Sequence, residues 1–204
     1  MRSISNRFFY AILVLLNVFT AGSICAQQYR PIATWPDETN ARIEEFLNTT
    51  LTVTDRKVAV FDCDGTVFGQ APYYLYDYAD KNYKNRKDKE SRQKMAILDR
   101  MVKDGNNVGK PYVEDRVHFL SGMTPEEIAT LGYDCYMRSY KGKMYPEMKT
   151  LISNLKEYGF EVWILTASPE FLYQRFVASE LGIPVTHVLG VKGVVKNGVM
   201  SDEI

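Results

Sequence analysis

The sequence predicts an α/β fold, a Rossmann-like parallel sheet with a run of helices inserted after its first strand. Three observations lead there. Val58 to Asp62 is a short apolar run that closes on a carboxylate and a Gly65-Thr66 turn, the pattern of a strand buried on both faces. Phe160 to Leu165 is a second apolar run, followed by helical spacing at Leu172, Phe176, Val177 and Leu181. Residues 71–144 between them carry helix-like pieces and no strong strand. Strand and helix alternating in this way imply right-handed parallel crossovers.

Residues 1–26 stand apart. Arg2 and Arg7 give a positive start, Phe8 to Thr20 is apolar except for Asn17, and Ala21 to Ala26 forms a mostly small-residue exit. This is the pattern of a secretory signal peptide cleaved after Ala26, with an apolar stretch too short to span a membrane comfortably. The expected address is periplasmic or secreted, with no stable membrane anchor after cleavage. Cleavage removes two arginines and no acids, leaving 23 basic against 25 acidic residues. That balance gives no electrostatic footprint for nucleic acid or an anionic membrane surface. Two cysteines then remain, Cys63 and Cys135. Alternation along the strand turns Cys63 into packing, so two buried thiols are expected rather than a disulfide.

The mature chain divides into residues 27–55, an arm and helix; 56–70, the first part of the core; 71–144, the helical insertion; and 145–204, the second part of the core. Ile43, Phe46 and Leu47 give an amphipathic helix over Pro36 to Asn48. In the insertion, Arg86 to Lys103 places Met95, Leu98, Met101 and Val102 on one side, with Gly105 as its stop. Thr124-Pro125-Glu126-Glu127 is a capping box opening a helix to about Ser139. The charged run Lys81 to Lys94 is a solvated helix face or a cationic surface drawing in phosphate esters. Tyr73, Tyr74, Tyr76 and Tyr78 are packing residues or an aromatic cage for a quaternary ammonium group. Past Pro146, Met148, Leu151, Ile152 and Leu155 give a helix ending at Gly159, and Gly182 closes the helix after the second strand. His187 to Val191 reads as a third strand and Asn197-Gly198 as a hairpin turn. His118 and His187 are assigned to surface or packing.

The chemistry concentrates at Asp62 and Asp64, one residue apart where the first strand ends. In an open parallel sheet that carboxyl end is where ligands bind. Carboxylates beside an apolar strand are costly unless a cation or proton neutralises them, so the pair asks for a metal, phosphoryl chemistry, or both.

Asp62-Cys63-Asp64-Gly65-Thr66-Val67 resembles the first motif of the haloacid dehalogenase superfamily, D-x-D-G-T-[LV]. It is most similar to the phosphatase branch with a helical cap, the phosphoserine phosphatase-like and phosphorylcholine phosphatase-like enzymes. Dehalogenases of the superfamily lack the second aspartate. The strand ending in Thr166-Ala167-Ser168-Pro169-Glu170 resembles the second motif. The physics agrees, since a hydroxyl and the free amides of a following helix form an anion site.

The resemblance implies that Asp62 is the nucleophile, Asp64 the acid and base, and Thr166 with Ala167 the phosphate-binding pair. It further implies Mg²⁺ held by Asp62 and by the backbone carbonyl of Asp64, and a small phosphomonoester as substrate. Glu114 and Arg116 in the insertion are possible substrate contacts. The third-motif lysine and fourth-motif acids of the superfamily are not recognisable before Ile204, and Lys192, Lys196, Asp202 and Glu203 do not replace them. The core is therefore expected to be incomplete at the C-terminus, leaving Val58 to Phe61 as an unpaired edge and the chain poorly soluble with little activity. A phosphomutase and a non-catalytic phosphate-ligand or protein-binding module are the alternative functions.

Overall fold

The computed structural model describes residues 27–69, 78–79 and 81–203. The expected signal peptide and the tyrosines at 73, 74 and 76 lie outside the described residues. The core is a parallel sheet of β1 (Lys57–Asp62), β2 (Phe160–Pro169) and β3 (Val188–Val191), in that spatial order. β1 aligns with β2 from Lys57↔Phe160 to Asp62↔Leu165, and Ile164 lies opposite Val188. β2 runs four residues beyond the expected Leu165, to Pro169, with a register shift against β3.

The first helix, α1 (Asp37–Thr49), precedes β1. Between β1 and β2 come α2 (Lys89–Asp104), α3 (Lys110–Leu120), α4 (Pro125–Cys135) with a π-helical turn over Tyr136–Tyr140, and α5 (Pro146–Glu157). α6 (Glu170–Leu181) joins β2 to β3, and a short hairpin of β4 (Val195–Lys196) and β5 (Val199–Met200) follows. The local signals are read directly. Thr124 and Glu127 form the reciprocal capping box of α4. Gly105 and Gly182 end α2 and α6 at φ 65° and φ 59°, where a side chain would be strained. Asn197 and Gly198 turn the hairpin, both at positive φ.

The sheet steps from β1 to β2 to β3 in one direction. Successive right-handed crossovers then place their helices on the same face. Ala59 and Phe61 of β1, with Val162, Ile164 and Val188, face that helical layer and join the core. The opposite face corrects the expectation that β1 is buried on both sides. Val58 and Val60 alternate outward, Val60 is 53% exposed, and Leu165 beside Asp62 is 46% exposed. β1 is an edge among the described strands. Val102 is a second correction, because it points to solvent while Leu98 and Met101 are buried. The charged run also departs from a uniformly solvated face. Its last member, Lys94, is buried, and its Nζ donates to the carbonyls of Phe119 and Ser121 at the end of α3.

Two buried asparagines tie the N-terminal arm down. Asn40 accepts from Tyr29 Oη at 2.6 Å and from the Ile32 amide at 2.8 Å, and donates to the Ile32 and Trp35 carbonyls. Asn154 accepts from the Arg30 amide at 3.0 Å and donates to its carbonyl at 2.8 Å. Each satisfies backbone groups that the arm, lacking regular structure, could not pair by itself. Cys63 and Cys135 are both buried and are not joined in a disulfide, as expected.

Candidate active site

The site is built by the turn that follows β1. The Cys63 carbonyl collects the amides of Val67 at 2.9 Å and of Thr66 and Phe68 at 3.4 Å, and the Gly65 amide donates to Phe68 O at 2.8 Å. Gly65 adopts φ 79°, which lets the chain reverse this tightly. The turn leaves Asp62 exposed and Asp64 half-buried, with the fully buried Cys63 between them. Burial, with Asp64 and Asp62 beside it, pushes the Cys63 thiol well above its ordinary pKa. Cys63 is therefore an inert packing thiol.

The two aspartates have different surroundings. Asp62 Oδ2 lies 3.3 Å from its donor, Thr66 Oγ1, and the carboxylate otherwise faces outward. Asp64 accepts from Thr166 Oγ1 at 3.3 Å and from Tyr173 Oη, which sits 2.9 Å from each carboxylate oxygen. Burial raises the Asp64 pKa above the ordinary value, the two hydroxyl donors oppose that shift, the Asp62 charge adds to it, and Arg116 opposes it. A carboxyl whose proton affinity is raised suits the role of proton donor, and its exposed neighbour is open to an incoming group.

Thr166 and Ala167 sit at the end of β2. The Thr166 hydroxyl donates to Asp64 and accepts from the Ser168 amide at 3.1 Å. Because β2 continues to Pro169, α6 starts at Glu170, four residues beyond Thr166. This corrects the picture of Thr166 flanked by free helix amides: the Ser168 amide is already bonded and Pro169 has none. Ala167 is exposed, and its carbonyl accepts from Arg116 Nη1 at 3.2 Å. The Arg116 guanidinium lies 4.8 Å over the Tyr112 ring. It brings a cation from α3 to the rim of the site. Glu114 instead pairs with Lys110 at 3.6 Å along its own helix.

Tyr173 is the residue that sequence reasoning missed. It lies with Phe176 and Val177 on the inward stripe of α6, and all three are buried. A buried phenol on a helix stripe asks for a hydrogen-bond partner. That was the available signal. Beside it a small cavity of about 10 Å³ is lined by Asp64, Phe68, Gly132, Cys135, Tyr140, Leu172, Tyr173 and Phe176. It has room for one water and not for an ester.

Among the described residues, no three His, Cys, Asp or Glu side chains gather into a metal cage. Mg²⁺ does not need one, since it binds through one or two protein oxygens and fills its octahedron with waters and substrate phosphate. The outward carboxylate of Asp62, next to Asp64, is a hard-oxygen donor of that kind. The C-terminal acids lie elsewhere. Glu203 pairs with Lys196, and Asp202 lines a groove with Glu90, Arg100 and His118.

Residues 59–204 match the family model of haloacid dehalogenase-like hydrolases. The chain belongs to that family, and its fold is the α/β architecture the family carries. A protein of unknown function from Bordetella pertussis Tohama I aligns at 17% identity with TM-score 0.56, over 74% of this chain and 66% of that one. A functionally unknown protein from Anaerococcus prevotii DSM 20548 aligns at 14% identity with TM-score 0.54, over 80% and 71%. A phosphoserine phosphohydrolase-like protein from Francisella tularensis subsp. tularensis SCHU S4 aligns at 20% identity with TM-score 0.43, over 71% and 63%. The chain thus spans about two thirds of the length of these structures. No curated protein matches the sequence.

Proposed function

We propose that the protein is an exported phosphatase that hydrolyses small phosphomonoesters with Mg²⁺ through an aspartyl-phosphate on Asp62. The observation that carries this reading is the unequal pair at the end of β1: Asp62 exposed, and Asp64 half-buried with raised proton affinity under two hydroxyl donors. Asp62 Oδ attacks phosphorus, and the ester P–O bond breaks. The departing alkoxide takes the proton that Asp64 carries. Asp64, now a carboxylate, takes a proton from water as that water attacks the aspartyl-phosphate, which returns Asp62 and releases phosphate. When bound, Mg²⁺ would be held by the Asp62 carboxylate and the Asp64 backbone carbonyl, and would neutralise charge on the phosphoryl oxygens.

In this reading α2, α3 and α4, within residues 71–144, act as a cap over the site. Arg116, anchored on Ala167 O and Tyr112, supports a substrate with a second anionic group near the leaving oxygen. Export rests on the N-terminal sequence pattern alone.

The test is a panel of phosphomonoesters with Mg²⁺, comparing the wild type with Asp62→Asn. Turnover and an acid-stable phosphoprotein in the wild type, both lost in the variant, are expected. Turnover unaffected by Asp62→Asn removes the nucleophile assignment. Binding of phosphate esters without turnover makes the protein a binding module instead.

A further inference from the structure

The side chain holding Asp64 most closely comes from neither aspartate turn nor β2. Resting on the phosphatase reading above, we propose that Tyr173 is a positioning residue that aims the Asp64 carboxyl at the leaving oxygen. A carboxylate on a short side chain has two soft torsions, and one donor leaves it free to swing. Thr166 from β2 and Tyr173 from α6 grip it from separate elements, with Tyr173 Oη 2.9 Å from both oxygens.

The phenol is itself fixed. Its ring is buried, 5.2 Å from the Phe176 ring centroid and 6.5 Å from that of Phe68. Such a ring has few rotamers to exchange, so its hydroxyl marks a defined point. That rigidity gives the orientation required of a proton donor, for which misplacement by an ångström is costly. The charge balance is also consistent. As the P–O bond breaks, the Asp64 proton passes to the leaving oxygen and the carboxylate gains a negative charge. The Tyr173 O–H is already directed at that charge and keeps its own proton.

The experiment measures Tyr173→Phe against two esters. An alkyl phosphate such as glycerol phosphate leaves as a basic alkoxide and needs the Asp64 proton. p-Nitrophenyl phosphate leaves as a stable phenolate and scarcely needs it. Expected in kcat/KM, which reports the step in which the leaving group departs and not the later hydrolysis that both esters share, are a fall of about tenfold to a hundredfold for the alkyl ester and a change under about threefold for the nitrophenyl ester. Equal losses on both esters, or no loss on either, overturn the positioning role. A separate reading comes from the ¹³Cζ resonance of Tyr173, assigned by its absence in Tyr173→Phe. It should move in Asp64→Asn, which leaves the tyrosine intact; an unmoved resonance also overturns the proposal. Failure of the phosphatase reading looks different. Wild-type turnover would then be absent, or would survive Asp62→Asn, whatever residue stands at 173.

Discussion

Gly132 of α4 lies directly on the backbone of Leu172 in α6, so close that a Cβ at 132 would meet the Leu172 carbonyl oxygen at 1.9 Å. No rotamer relieves a backbone clash of this kind. The absence of a side chain lets the inserted helix settle against the core helix that carries Tyr173. The packing is dense there, with Tyr136 and Phe176 stacked at 4.7 Å.

Gly132→Ala should therefore force α4 and α6 apart and lower stability by about 1–3 kcal/mol. The check is a thermal or urea melt of the variant beside wild type. The Asp64 cavity lies at the same seam, so Tyr173 protection from hydrogen exchange should weaken in parallel. An unchanged melting temperature would show that the two helices do not meet this closely.

Asp64 should impose a pH dependence on folding. Its folded pKa is raised, so the folded state holds the proton more tightly than the unfolded chain. Stability from this group is then highest below the ordinary carboxylate value of 3.8 and is lost as pH rises through the folded value. Asp64→Asn removes the ionisation while keeping an acceptor for Tyr173. Without added metal, it should melt higher than wild type near pH 7, with the gain shrinking as the buffer is taken towards pH 3.8. Melts across pH decide it; a gain that grows on acidification would reverse the assigned direction.

The outward face of β1 and β2 should make the chain self-associate. Val58, Val60 and Leu165 form exposed apolar surface on and beside β1, the edge among the described strands, a combination that templates strand pairing. Val60→Lys places a charge at an exposed position on that edge and should lower the apparent mass at high protein concentration. Sedimentation velocity over a concentration series is the measurement. The variant should retain wild-type melting behaviour, because Val60 is not packed into the core.

The arm should depend on Asn154. Asn154→Ala removes both partners of the Arg30 backbone at a fully buried position. The expected cost is about 1–3 kcal/mol. Limited proteolysis should then cut near Arg30 in the variant and not in the wild type. Equal cutting of both would show that the arm is held by its surface contacts, such as the Arg30–Glu157 pair.

The elements themselves were legible because their causes are local. Apolar run lengths marked β1 and β2, Thr124 with Glu127 marked the start of α4, and Gly105, Gly182 and Asn197-Gly198 marked stops and a turn. The order Asp62, Asp64, Gly65 likewise marked the turn that follows β1, since one tight reversal fixes all three. Which face of β1 is covered was not legible. An apolar run reads alike whether helices lie on one side or both, and only the same-direction crossovers decide it. Nor could spacing show that Tyr173, 109 residues beyond Asp64, ends within hydrogen-bond reach of it. That contact exists because β1 and β2 pair in register and α6 packs back on β2 and β3, a long-range consequence of burial that no local pattern encodes.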